Sequence, residues 1–156
     1  YQLAESWGLP VVAFIDTPGF MVGPESEADG APSLMSDAFI AGAALNQPII
    51  AVFLRRAYGL GAMAMAGGSF EVPRYSVSWP QGEFGAMGLE GAVHLGFRQE
   101  LANASDEAAR QALFESLLTE MYAKGRAIEA ASYLEIDAVI EPHDTRAVII
   151  DTLKSS

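Results

Sequence analysis

The feature that most restricts the fold is a junction. An apolar run, Ile49 to Leu54, meets Arg55-Arg56 and then Tyr58-Gly59-Leu60-Gly61-Ala62, which opens into Ala62-Met63-Ala64-Met65-Ala66. The first run has no helical period and reads as a buried strand, with Arg55-Arg56 expected to break it. The last has helical propensity and is closed by Gly67-Gly68. Strand, tight turn and helix thus follow one another almost without a loop. The first amides of such a helix have no intrahelical partners and converge on one point, where an oxyanion can bind. Glycine at 59 and 61 permits positive φ and lets a ligand approach without meeting a Cβ. The plainer reading is that small residues here only allow close helix packing.

The rest of the chain supplies similar units. Tyr1 to Trp7 reads as the end of an amphipathic helix, and a start at Tyr1 rather than Met suggests a fragment. Val11 to Ile15 reads as a second buried strand, ended by Asp16-Thr17-Pro18-Gly19-Phe20. Met21 to Pro32 has loop composition and should be exposed or cover a site. Ser33 is a candidate cap for a helix running to Asn46-Gln47-Pro48. Tyr75 to Trp79 reads as a strand, and Ala86-Met87-Gly88 as a turn before a helix from Leu89 to Phe97. Ser105 is expected to cap a long helix reaching about Ala130, with Leu113, Phe114, Leu117, Leu118, Met121 and Tyr122 as its apolar stripe. A strand from Ile136 to Ile140 and a terminal helix, capped by Asp144 or Thr145, complete the chain. Alternating strands and helices predict one α/β domain over residues 1–156.

Composition narrows the chemistry. With 156 residues and 51% apolar content, the chain can bury about two-thirds of its unfolded surface. Only 19% of residues are charged, so a buried interface is expected. A formal charge of −11 repels nucleic acid and anionic membranes, and makes the domain a poor holder of a polyphosphate on its own. The lack of cysteine excludes disulfides, thiolate metal sites and a cysteine nucleophile, and is compatible with a cytoplasmic location. Apolar runs are interrupted before reaching membrane-spanning length. No metal site is expected, since the two histidines lie far apart.

Several competing constellations fall short. Gly59-x-Gly61-x-x-Ala64 fits a relaxed dinucleotide fingerprint, but no convincing acidic residue follows at the required distance. Asp16-Thr17-Pro18-Gly19 imitates a nucleotide-hydrolase switch, yet no Gly-Lys-Ser or Gly-Lys-Thr phosphate loop accompanies it. A serine nucleophile at the helix start is missing, because positions 60 to 66 hold only Leu, Gly, Ala and Met. His94 and His143 read as structural or surface residues.

The ordered set Val12-Ala13-Phe14-Ile15-Asp16-Thr17-Pro18-Gly19-Phe20, Arg55-Arg56-Ala57-Tyr58-Gly59, Trp79-Pro80, Ala86-Met87-Gly88 and Ile136-Asp137-Ala138-Val139-Ile140-Glu141-Pro142-His143-Asp144-Thr145-Arg146 resembles the carboxyltransferase subunits of propionyl-CoA and methylcrotonyl-CoA carboxylases. The resemblance implies a crotonase-like (ClpP/crotonase) fold, a spiral of β-β-α turns, with this chain as the C-terminal half. It further implies transfer of a carboxyl group between biotin on a separate carrier domain and the α-carbon of an acyl-CoA. The absent N-terminal half would bind the acyl-CoA, so the fragment alone is expected to be inactive. The implied partners are that half, a biotin carboxylase and biotin carrier subunit, and further copies of the chain as a dimer or trimer of dimers.

Carried over by position, the paired backbone donors to the ureido oxygen fall on Leu60 and Gly61, worth about 3–4 kcal/mol each in such a site. Tyr58, Gly59, Ala62, Met63, Ala86, Met87 and Gly88 would line the biotin pocket. Met63 occupies a place that is acidic in propionyl-type members. Three alternatives remain: a biotin-linked acyl-CoA decarboxylase, a crotonase-like hydratase or isomerase with carboxylates facing the turn, and a non-catalytic docking module for the biotin carrier.

Overall fold

The computed structural model describes residues 1–155. Helix α1 (Gln2–Trp7) ends at Gly8 and gives way to strand β1 (Val11–Thr17). Helices α2 (Pro24–Ala28) and α3 (Ala31–Ala43) return the chain to β2 (Ile49–Tyr58), which passes without a loop into α4 (Gly59–Met65). Strands β3 (Tyr75–Ser78) and β4 (Glu83–Gly85) come next. They are followed by α5 (Leu89–Gly96), α6 (Arg98–Ala102), α7 (Glu107–Lys124) and α8 (Ala127–Ser132). The two-residue β5 (Ala138–Val139), a 3-10 turn at Pro142–Asp144 and α9 (Thr145–Lys154) close the domain.

Every pairing between these strands is parallel, in the order β1-β2-β3-β5. Strand β2 serves two neighbours in succession. Its residues Ile50 to Phe53 lie beside Tyr75 to Ser78 of β3, and Arg56 to Tyr58 lie beside Glu83 to Gly85 of β4. The units β3-β4-α5 and β2-α4, with β2 acting as two strands in one, are therefore successive strand-strand-helix turns.

Residues Ile49 to Phe53 are buried on both faces, as expected for a parallel strand covered on each side. One face packs Ala51, Phe53 and Ala57 against Ala62 and Ala66, Phe84, and Ala127 and Ala130 of α8. There Phe53, Phe70 and Phe84 meet edge to face, with centroids 4.8 to 5.7 Å apart. The other face packs Ile50, Val52 and Val77 against Trp79 and the apolar side of α9, including Val148, Ile149 and Leu153.

The structure corrects several expectations. Arg55-Arg56 do not break β2. Between the pairs Ile15↔Phe53 and Thr17↔Ala57 the ladder has one residue on β1 and three on β2, a bulge. Asp16 holds that bulge: its carboxylate accepts from Arg56 N at 3.1 Å, Arg56 Nε at 3.3 Å and Arg55 Nη2 at 3.1 Å. One of the two positive charges is thereby balanced, both guanidinium groups are anchored and the displaced amide is satisfied, so the strand continues.

The stretch read as a loop contains α2, because Pro24 sits in the first helical turn, where its missing N–H costs nothing. For the same reason α3 begins at Ala31, with Pro32 in its first turn, and Ser33 is not its cap. Strand β4 was not legible, since its three residues are defined by pairing with β2. Asp106 rather than Ser105 caps α7, accepting from Ala109 N at 2.8 Å.

The long helix stops at Gly125 because the chain there crosses β4: Phe84 N donates to Gly125 O at 2.7 Å, and a Cβ on Gly125 would lie 2.6 Å from Phe84 O. Only Ala138–Val139 of the last expected strand pair with β3. Neither Asp144 nor Thr145 caps α9 through its side chain; Thr145 Oγ1 instead donates to Pro142 O and accepts from Trp79 Nε1. Among the described residues no helix is long and apolar enough to cross a membrane.

Candidate functional site

The segments that leave β1, β2 and β4 at their C-terminal ends converge on one cavity of about 590 Å³. From β1 come Pro18 to Val22, from the β2-α4 junction Tyr58, Gly59 and Leu60, and from β4 onward Ala86, Met87, Gly88 and Gly91. Glu27, Ala31, Pro32 and Met35 of α2 and α3 form the remaining wall, so the segment expected to cover a site does so. The lining is mostly apolar. Its ionisable side chains are Glu27 and Tyr58, and no cation is among them.

The junction is shaped by close backbone approach. Gly59 has φ 59°, and a Cβ there would lie 2.8 Å from Ala86 O. A Cβ on Gly61 would lie 2.8 to 3.0 Å from Gly19 C, Gly19 Cα and Phe20 N. Both contacts are with backbone, which cannot move aside cheaply, so glycine is required at each position. At both positions the space beside the glycine is filled by the chain's own backbone, so the geometry accords with the close-packing reading. Gly59, Leu60 and Gly61 occupy the first turn of α4, whose amides have no acceptor one turn earlier in the helix.

Of the residues singled out from the sequence, Tyr58, Gly59, Leu60, Ala86, Met87 and Gly88 are brought together around the cavity. Leu60 is 53% exposed. Gly61 borders a neighbouring cleft with Tyr1, Phe20, Ala38, Ala64 and Met65. Ala62 is wholly buried in the core, and Met63 is half-buried outside the cavity lining. Sequence reasoning missed Phe20, Met21, Val22 and Met35. Two large apolar residues in a turn-rich segment, Met21 and Val22, were the available signal. They are highly exposed here.

Tyr58 is buried, and its hydroxyl donates to Glu83 Oε2 at 2.7 Å. Burial first, and the Glu83 carboxylate second, push the phenol well above its ordinary range. His94 lies away from the cavity, its ring stacked on Phe114 at 4.6 Å, and His143 is exposed beside Asp144. Among the described residues no three His, Asp or Glu side chains are grouped as a metal site needs.

The sequence profile of the carboxyl transferase domain matches residues 2–156. The chain belongs to the carboxyl transferase domain family. It is 32% identical over 154 residues to the carboxyltransferase subunit of propionyl-CoA carboxylase from Haloferax mediterranei, covering 98% of this chain and 29% of that protein. It is 33% identical to the methylmalonyl-CoA carboxyltransferase 12S subunit of Propionibacterium freudenreichii subsp. shermanii, again over 98% of this chain and 29% of the relative. This carboxyl transferase domain thus spans less than a third of the length of these relatives.

Among solved structures, a single-chain, multi-domain long-chain acyl-CoA carboxylase matches 96% of this chain with 15% of its own, at 49% identity and a TM-score of 0.83. The transcarboxylase 12S hexamer with methylmalonyl-CoA bound matches 97% of this chain with 29% of its own, at 30% identity and a TM-score of 0.87. The α/β fold of this carboxyl transferase domain, with its parallel sheet, is crotonase-like, as the resemblance implied.

Proposed function

We propose that this chain is the biotin-presenting half of a biotin-dependent acyl-CoA carboxyltransferase. The observation that carries this reading is the cavity at the strand ends: apolar walls, no cation, and the first turn of α4 at its edge. Such a cavity suits an uncharged bicyclic ureido group carried on a separate domain and disfavours a polyphosphate. When bound, biotin supplies the ureido nitrogen that carries the carboxyl group and takes up the substrate proton.

The residues of this chain provide the setting. The amides of Leu60 and Gly61 donate to the ureido oxygen as negative charge develops there, each lowering the barrier by about 3 kcal/mol. Met21, Val22 and Met87 give the cavity apolar side chains against which a ureido ring can pack. Tyr58, Gly59, Ala86 and Gly88 shape the pocket, while Ala62 and Met63 support it from the body of α4. The thioester enolate needs its own donors, which an acyl-CoA-binding N-terminal half would bring.

The partners in this reading are that half, a biotin carboxylase and carrier subunit, and further copies of the chain in a dimer or trimer of dimers. A cytoplasmic setting belongs to the same proposal. Decarboxylation of an acyl-CoA onto biotin would use the same donors in the opposite direction. The hydratase or isomerase reading needs acid-base carboxylates at the turn. The carboxylate lining the cavity is Glu27, on the exposed side of α2, and Glu83 is engaged by Tyr58.

The test is to supply the acyl-CoA-binding half of a relative and measure biotin-dependent exchange of labelled bicarbonate into a panel of acyl-CoAs. Exchange into at least one is expected, and its absence across the panel with both halves folded defeats the proposal. Gly61→Pro deletes one donor amide and also sets a Cβ against the Gly19 and Phe20 backbone, so transfer should fall by roughly 100-fold or more. Gly61→Ala, which adds the Cβ and keeps the amide, should lose much less transfer if the amide is the donor.

A further inference from the structure

Tyr58 is the residue at which β2 becomes α4, and it is 4% exposed. Its hydroxyl donates to Glu83 Oε2 at 2.7 Å, 25 positions along the chain. Glu83 opens β4 and is held from both sides: it pairs with Arg56 across the ladder and bridges to Arg126 between α7 and α8. Its neighbour Phe84 donates to Gly125 O. The main chain that carries the acceptor of the Tyr58 phenol is therefore held by backbone contacts made outside the α4 turn.

The Tyr58 ring spans the distance between that acceptor and the turn. It passes Gly85, where a Cβ would lie 3.6 Å from Tyr58 Cδ1. A phenol side chain has two soft torsions, so anchoring its hydroxyl narrows both and, with the ladder pair Tyr58↔Gly85, steadies its Cα and the peptide that follows. That peptide leads into Gly59, with φ 59°, under Ala86 O. One wall of the cavity is thus tied to Glu83 through its carboxylate and the Tyr58 phenol, the other through the main chain of β4.

We propose that Glu83 is a positioning residue: through its hydrogen bond with the Tyr58 hydroxyl it sets the orientation of the Leu60 and Gly61 amides against the Ala86-Met87-Gly88 wall. The inference deepens the carboxyl-transfer reading and rests on it for its kinetic consequences. In this role the phenol acts as a scaffold, its hydroxyl held by Glu83. A second phenol-carboxylate contact, Tyr122 Oη to Glu90 Oε1 at 3.0 Å, fastens α7 to α5 and supports the same wall from outside.

In the chain combined with an acyl-CoA-binding half, Glu83→Ala and Tyr58→Phe should each lower kcat for carboxyl transfer roughly tenfold or more, with KM for the acyl-CoA unchanged. The Glu83→Ala/Tyr58→Phe double variant should be no worse than the poorer single one, since both remove one contact. Tyr58→Phe/Glu83→Leu separates positioning from stability, because replacing both partners of a hydrogen bond by apolar groups is nearly neutral for folding. Thermal stability restored without kcat supports the proposal; restoration of both overturns it.

If the unaltered protein transfers carboxyl groups to no acyl-CoA, the carboxyl-transfer reading fails by itself. Positioning is then decided on the 156-residue chain by NMR. The Leu60 and Gly61 amide resonances move in Glu83→Ala if Glu83 sets the turn. Unchanged resonances in the folded variant overturn the role.

Discussion

Helices α4 and α7 belong to the same chain but are held in opposite ways. The seven residues of α4 start directly on a buried strand, and Gly61, Ala62 and Ala64 are buried. The eighteen residues of α7 include none that are buried. Its surface carries the local pairs Arg110 to Glu107 and Lys124 to Glu120, and its apolar stripe leans on α5 through half-buried side chains. Exposed pairs of that kind contribute little each. The first helix is specified by contacts with distant backbone, the second by its own sequence. A site that must hold amides in place is better built on the first kind of helix, because close backbone packing leaves few alternative arrangements.

The contrast can be broken or sharpened by substitution. The largest effect is expected for Phe53→Ala, which empties a fully buried ring site between the sheet and α4; denaturant unfolding should show a loss of about 4 kcal/mol. Gly61→Ala forces a Cβ against the Gly19 and Phe20 backbone and should cost about 2 kcal/mol, measured in the same way. A change within experimental error would show that the junction can relax, and the contrast with α7 would fail.

Asp16→Asn should cost about 1.5 kcal/mol near neutral pH, because two arginines and a displaced amide lose a charged acceptor. Burial alone would raise the Asp16 carboxyl, but the hydrogen bonds from Arg56 N–H and the two guanidinium groups outweigh it and hold the carboxyl below its ordinary value. A depressed carboxyl stabilises the fold above its unfolded value and loses that contribution as pH falls through its folded value. The gap between Asp16→Asn and the unaltered chain should therefore be full at neutral pH and close below the ordinary carboxylate range. A gap that stays constant would exclude Asp16 as the titrating group.

Asp106→Ala removes the cap of α7 and should cost about 1 kcal/mol by thermal unfolding. Carboxyl transfer should be unchanged, since Asp106 lies outside the cavity lining. A fall in transfer as large as that of Gly61→Pro would mean that α7 carries as much of the site as the junction does.

The sequence by itself determined the buried strand at Ile49 to Phe53 and its passage through a glycine-rich turn into α4, which rest on apolar runs and glycine placement, local along the chain. The grouping of Tyr58, Gly59 and Leu60 with Ala86, Met87 and Gly88 was legible only through the resemblance to carboxyltransferase subunits. Tertiary structure alone decided that Arg55-Arg56 continue β2, that Glu83 to Gly85 form a strand, and that Gly61 borders a cleft beside the cavity while Leu60 lines it. Each depends on a partner far along the chain: Asp16 for the arginines, β2 for β4, Gly19 and Phe20 for Gly61. Propensity describes what a segment does with its own neighbours, and it carries no information about which backbone will pack against it.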